Sequence, residues 1–274
     1  MQLKQRLILI KENGYQAPPD VYGLVQEMIH NIGSADAELR DELIYEILSQ
    51  WIPGNILTAG ELGQLLPILL DEEHLLFKLG ETGTDSVFTR SFSMLVIPLV
   101  FTRHNESPFL SKEQIHHIKE SVFNSLRKER DYRGYEGEKG WAHAIAHGAD
   151  ALDELAQCSV LDRSDLSTIL SLVHEKVTLT DQIYADGEDE RLVRPVVSVL
   201  NRKLLSRAAV EQWIRSFADV EKSPEFLPAF RQRVNIKNFL KSLYFRVKYY
   251  KVHDDLCPAI EQTLYKAEPV YYTR

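Results

Sequence analysis

Helix-starting signals recur along this chain at intervals of about 24–28 residues, through Ser34, Thr58, Ser86, Ser111, Glu138, Asp162 and Gly187, with Ser206 next. That rhythm constrains the fold more than any other feature of the sequence. Thr58 with Glu61, and Ser111 with Gln114, read as capping boxes, in which hydroxyl and third-position side chain satisfy opposite backbone N–H groups. Ser34 is a plausible cap for a helix that turns Leu39, Leu43, Ile47 and Trp51 inward and stops at Pro53-Gly54. Pro18-Pro19 can open an earlier helix ending near Gly33. Further helices are expected over residues 62–79, 86–103, 112–130, 139–157, 164–178, 188–204, 206–220, 233–251 and 258–267. Pro98 should kink or shorten the one that contains it. No segment alternates apolar and polar residues as a strand would.

The chain therefore reads as one all-α domain over residues 1–274. Two helices make a unit of about 50 residues, close to the longer helical-repeat periods. The expected layout is an α/α superhelix of stacked helical hairpins, of the HEAT or armadillo kind. An irregular multi-helix bundle is the alternative.

Composition narrows the function classes. Of the 274 residues, 44% are hydrophobic and 26% charged, as in a soluble globular protein. The longest apolar run, "MLVIPLVF", falls far short of the roughly 20 residues a membrane-spanning helix needs. The first residues carry no signal-peptide pattern. A net charge of −8 repels nucleic acid and anionic membranes. Cys158 and Cys257 form no CxxC pair, which suits a reducing cytosol. A cytoplasmic protein is expected, with nucleic acid an unlikely partner.

The chemistry concentrates in "GYEGEKGWAHAIAHGADALDEL". On a helix at 100° per residue with His143 at 0°, His147 falls at about 40°, Asp150 at about −20° and Glu154 at about 20°. Ile145, Ala149, Leu152 and Ala156 lie opposite. Two imidazoles at i and i+4 with a carboxylate at i+7 can converge on a divalent cation, so His143, His147 and Asp150 are candidate ligands for zinc, manganese or iron. The alternatives are one histidine acting as a general base oriented by a carboxylate, or a stripe that only faces solvent or a neighbouring helix. Ala144 stands where a zincin-type peptidase has its glutamate, which disfavours that reading. The small residues flanking the stripe favour close approach by a helix or ligand. The glycine-punctuated turn before it brings Arg133, Tyr135, Glu138 and Lys139, with Trp141 following.

Three segments, "DSVFTRSFS" at residues 85–93, "RDYRGYEGEKGWAHAIAHGAD" at 130–150 and "DGEDERL" at 186–192, resemble in order and spacing a bacterial family catalogued as domain of unknown function 2785. The resemblance spans roughly residues 30–250 and implies no particular activity. The spacing of Arg90, His143 and Arg191, about one two-helix unit each, predicts that the three segments share one surface. A polar groove centred on His143 and His147 would then be walled by Arg90 and Arg191, with a salt-bridge ladder setting helix register as the competing account. No cofactor is required, although a divalent metal is allowed. The "DGEDER" carboxylates lack an EF-hand pattern and read as an acidic helix start. Residues 231–251 carry seven Lys/Arg and no acid, read as a helix with a solvated basic edge. Nucleotide-binding and nucleophile-elbow motifs are missing, which weakens kinase, dehydrogenase and esterase readings. The leading expectation is a binding or scaffold module for a small polar ligand or a protein segment. A metal-assisted or histidine-based hydrolase using the same groove is the alternative.

Overall fold

A computed structural model describes residues 2–221, 223–251 and 253–267. Among them there are twelve α-helices and no strand. The chain divides into two compact units, Met1–Val160 and Leu161–Arg274.

The first unit contains α1 (Leu3–Glu12), α2 (Val21–His30), a π-helical stretch (Glu38–Tyr45) running into α3 (Glu46–Trp51), α4 (Ala59–Leu69), α5 (Ser86–Glu106), α6 (Lys112–Lys128) and α7 (Ala144–Gln157). The second contains α8 (Arg163–Val177), α9 (Glu188–Asn201), α10 (Arg207–Ser216), α11 (Phe226–Tyr250) and α12 (Cys257–Ala267). Helices two apart in sequence pack on one another: α2 on α4, α3 on α5 and α5 on α7 in the first unit, α9 on α11 and α10 on α12 in the second. Stacked hairpins pack in this way, and a bundle also accommodates it.

Local chemistry sets most boundaries. The boxes at Thr58 and Ser111 form as expected, and Asp162 makes a third with Asp165; each cap contributes about 1 kcal/mol. Asp20, rather than the proline pair, caps α2 by accepting the Gly23 N–H. Asp36 accepts the Leu39 N–H at 3.2 Å, so the next helix starts later than a Ser34 cap would place it.

Four expectations need correction. Helix α1 was not foreseen, because Leu7 is its only buried residue and leaves no periodic signal; Lys4, Arg6 and Lys11 clip it to Asp36, Glu27 and Glu46. Helix α4 stops at Leu69, ten residues early. The carbonyls of Phe77, Lys78 and Glu81 turn instead to the Arg90 guanidinium. Helix α5 runs through Pro98 to Glu106 without shortening. Helix α7 begins at Ala144 rather than near residue 139, since the N–H groups of Ala142 and His143 bond back across the turn to Gly134 and Arg133 at 2.9 and 3.0 Å.

Packing decides what α7 offers. Twelve of its fourteen residues are buried, and alanines with Gly148 let it lie close against α5 and α6. A Cβ on Gly148 would overlap Leu126 of α6. The helix has no solvent-facing stripe: His143, His147 and Asp150 are 9, 5 and 7% exposed. In the second unit Trp213, Phe217 and Phe239 form an aromatic core under His174, and Asn235 clamps the α8–α9 connection by bonding Tyr184 and Gln182.

Candidate functional site

The glycine-rich turn ahead of α7 is held from three sides. Arg40 reaches it from the π-helical stretch and is fully buried. Its guanidinium donates to the carbonyls of Ser34 and Lys139, each at 2.5 Å, and lies between the rings of Phe88 and Phe92 at 4.2 and 4.7 Å. A cation between two aromatic faces is stabilised by their quadrupoles, more so when desolvated. Asp41 pairs with Arg40 Nε at 2.8 Å and accepts the Trp141 N–H at 3.4 Å. Burial pushes the Asp41 carboxyl up and the Arg40 guanidinium down, and their mutual attraction opposes both.

Arg133 is the second tether. It forks onto Asp131 at 2.7 and 2.8 Å, reaches Glu136 at 2.8 Å, and donates to the Thr84 carbonyl at 2.6 Å. These bonds, led by Asp131, hold its guanidinium well above the ordinary arginine range. Lys139 is the third, bonded to both oxygens of Asp85 at 2.7 and 2.9 Å. Within the turn, Gly140 adopts φ 71° and ψ −147° directly against Asp41, Ala37 and Arg40, where a side chain has no room.

On this support stands a chain of rings. Tyr135 meets Trp141 edge-on at 4.8 Å, and the two residues form an isolated antiparallel bridge. Trp141 stacks on His143 at 4.3 Å with planes 17° apart. His143 leads edge-on to His147 at 5.8 Å, His147 to Phe92 at 5.1 Å, and Phe92 to Tyr45 at 6.3 Å. The series runs from the surface, where Tyr135 is 54% and Trp141 38% exposed, into the core. His147 Nδ1 lies 3.1 Å from the Ser91 carbonyl. A carbonyl only accepts, so this nitrogen carries the proton.

The structure thus joins the first two sequence segments through α5 and α7, through Lys139–Asp85, and through His147–Ser91. It treats the expected groove residues unequally. Arg90 is 1% exposed and does not wall a groove. Its guanidinium forks onto Glu129 at 2.7 and 3.0 Å and donates to Ser86 and the carbonyls of the turns after α4. His143 is not on the helix at all: it sits left-handed at φ 50° just before it, its ring drawn onto Trp141. Among the described residues no group of three His, Cys, Asp or Glu side chains is placed to hold a metal ion. Glu138 is exposed on the turn. Arg191 belongs to the second unit, on α9, where Glu188, Asp189 and Glu190 make the acidic first turn. Burial pushes the Glu188 carboxyl up.

Sequence reasoning missed Arg40. Its spacing of three from Leu43 and seven from Ile47 places it on the inward stripe, a position where a lone arginine marks a buried hydrogen-bonding role.

A family model described as a protein of unknown function, DUF2785, matches residues 75–245. The chain belongs to this family. The match contains all three DUF2785 segments read from the sequence, but starts later than the expected residue 30, leaving Arg40 outside it. No curated protein and no solved structure matches the chain. No helix among the described residues is long and apolar enough to cross a membrane.

Proposed function

We propose that this chain is a binding module whose recognition surface is the ring face of Tyr135, Trp141 and His143, backed by His147 and rimmed by Arg133, Glu138 and Lys139. The carrying observation is the exposed Trp141 indole stacked on His143 on a turn immobilised by Arg40. A pre-ordered aromatic surface loses little entropy on binding, and aromatic anchors dominate recognition surfaces. The charged rim suits a small polar ligand, or a segment of a protein partner that lays a flat or aliphatic group on Trp141. The isolated cysteines Cys158 and Cys257 support a reducing, cytosolic setting.

Fluorescence tests this reading. Trp51 is buried and Trp213 bonds its indole to the Leu170 carbonyl, so Trp141 is the tryptophan most open to quenchers. In a screen of short peptides and small polar compounds, ligands should change Trp141 emission saturably. Binding should be lost in Trp141→Ala and weakened in Tyr135→Ala, with thermal unfolding little changed. Ligands that bind Trp141→Ala as tightly as the wild type would refute the assignment.

A further inference from the structure

A cleft of about 360 Å3 opens in the first unit between the end of α2, the turns after α4 and the first turn of α5. Small-ligand pockets begin at about 300 Å3. Its polar lining is His30, Asn31, Ser34, Glu73, His74 and Thr89, with carbon surface from Ile29 and Phe77. None of these residues belongs to the ring face described above.

Bonds already made within the chain leave a defined set of groups open to a ligand. His74 Nδ1 lies 2.8 Å from Asp71 Oδ1, so the carboxylate holds the Nδ1–H tautomer and Nε2 remains as an acceptor. Asn31 donates its amide to the Glu27 carbonyl at 2.8 Å, which leaves Oδ1 unused. Ser34 Oγ accepts the Asp36 N–H at 3.2 Å and keeps its hydroxyl proton. Among the described residues the side chains of His30, Glu73 and Thr89 have no hydrogen-bond or ion-pair partner. The open groups are therefore mainly acceptors: the Glu73 carboxylate, His74 Nε2, Asn31 Oδ1 and one His30 nitrogen. The groups left to donate are two hydroxyls, one His30 N–H and the second Asn31 amide N–H. His30 is also the last residue of α2, the negative end of that helix's dipole. Two cations approach Phe77: Lys78, over its ring at 5.6 Å, is exposed and faces Glu81 at 3.9 Å, and buried Arg90, on its carbonyl at 3.0 Å, is paired with Glu129.

We propose that this cleft is a binding site for a small organic cation with an ammonium or guanidinium head, the head meeting Glu73, His74 Nε2 and Asn31 Oδ1 and the carbon stem lying along Ile29 and Phe77. An acceptor-rich cleft at a helix C-terminus rewards a donor-only, positively charged group and rejects an anion. The apolar walls favour an organic cation over a bare ion.

The test is a titration of the full chain with n-propylguanidinium chloride, read from the imidazole signals of His30 and His74 by NMR, with sodium chloride at matched ionic strength as reference. The expected result is a saturable shift of both imidazoles. Glu73→Gln should weaken the affinity by about ten-fold or more, the loss typical of one charge-assisted bond, while Glu72→Gln should leave it unchanged. Both glutamates are exposed, so both variants keep the fold. Absence of a saturable shift, equal affinity in Glu73→Gln, or the same shift produced by sodium acetate would each overturn the proposal. Trp141 emission stays constant throughout if the two sites are separate.

Discussion

Replacing Gly140 by alanine should destabilise the first unit by about 2–6 kcal/mol, from two sources the structure separates. The first is backbone strain. At φ 71° and ψ −147° the residue occupies a region open almost only to glycine, and an L-residue there costs about 1–3 kcal/mol. The second is crowding. A Cβ would stand 2.8 Å from Asp41 Oδ2, 2.9 Å from Ala37 Cβ and 3.1 Å from an Arg40 Nη atom. Those neighbours are tied to the turn by the Arg40–Lys139 bond and the Asp41–Trp141 contact, so they yield poorly, and overpacking of this kind costs about 1–3 kcal/mol. Gly137, in the same turn at φ 59°, supplies the internal control. A Cβ there meets nothing within 4 Å, so Gly137→Ala should cost only the left-handed term, about 1–2 kcal/mol. Urea unfolding followed by circular dichroism measures both losses, and iodide quenching of Trp141 reports the turn directly. Gly140→Ala should open Trp141 to iodide while Gly137→Ala leaves it as it is. Equal destabilisation within about 0.5 kcal/mol, with equal quenching, would refute the idea that Arg40 and Asp41 clamp the turn.

Three other outcomes are expected. Arg90→Met should lose about 3–5 kcal/mol in the same urea assay, because Glu129 would remain buried without its guanidinium; a loss under about 1 kcal/mol would contradict that. Gly148→Ala should cost about 1–3 kcal/mol by pressing on Leu126, and much less in a Leu126→Ala background, where the space exists; strict additivity would show that α6 and α7 give way freely. Stability should fall as pH drops below about 6.5. His104 is buried with its Nδ1 accepting the N–H groups of Phe109 and Leu110 at 3.0 and 3.1 Å, and burial holds its pKa below 6.5. The unfolded chain then binds the proton more readily, so the contribution is complete above 6.5 and declines on acidification. His104→Gln should flatten the fall in urea midpoint between pH 7.5 and 5.5 without removing it, since buried His174 acts in the same direction in the second unit; an unaltered slope would count against His104.

The helical class and most helix positions were legible because they rest on short-range chemistry. The boxes at Thr58 and Ser111 and the acidic start at Glu188 are encoded within three or four residues. The adjacency of the 85–93 and 130–150 segments was also readable, from their spacing. The start of α7 was not. Nothing local in "EKGWAHA" announces that Ala142 and His143 will bond back to Gly134 and Arg133, or that Trp141 will take the His143 ring. Helical spacing places His143 on α7, whereas it precedes the helix in a left-handed conformation.

By itself the sequence determined an all-α chain of DUF2785, punctuated by caps, with one dense polar segment before α7. Tertiary structure alone decided that Arg90 is an internal latch, that Arg40 carries the turn, and that Tyr135 and Trp141 face solvent. The difference is one of range. A cap is satisfied by neighbours in the same turn of chain. The partners of a buried guanidinium, 39 residues away at Glu129 and 99 at Lys139, exist only once distant segments meet.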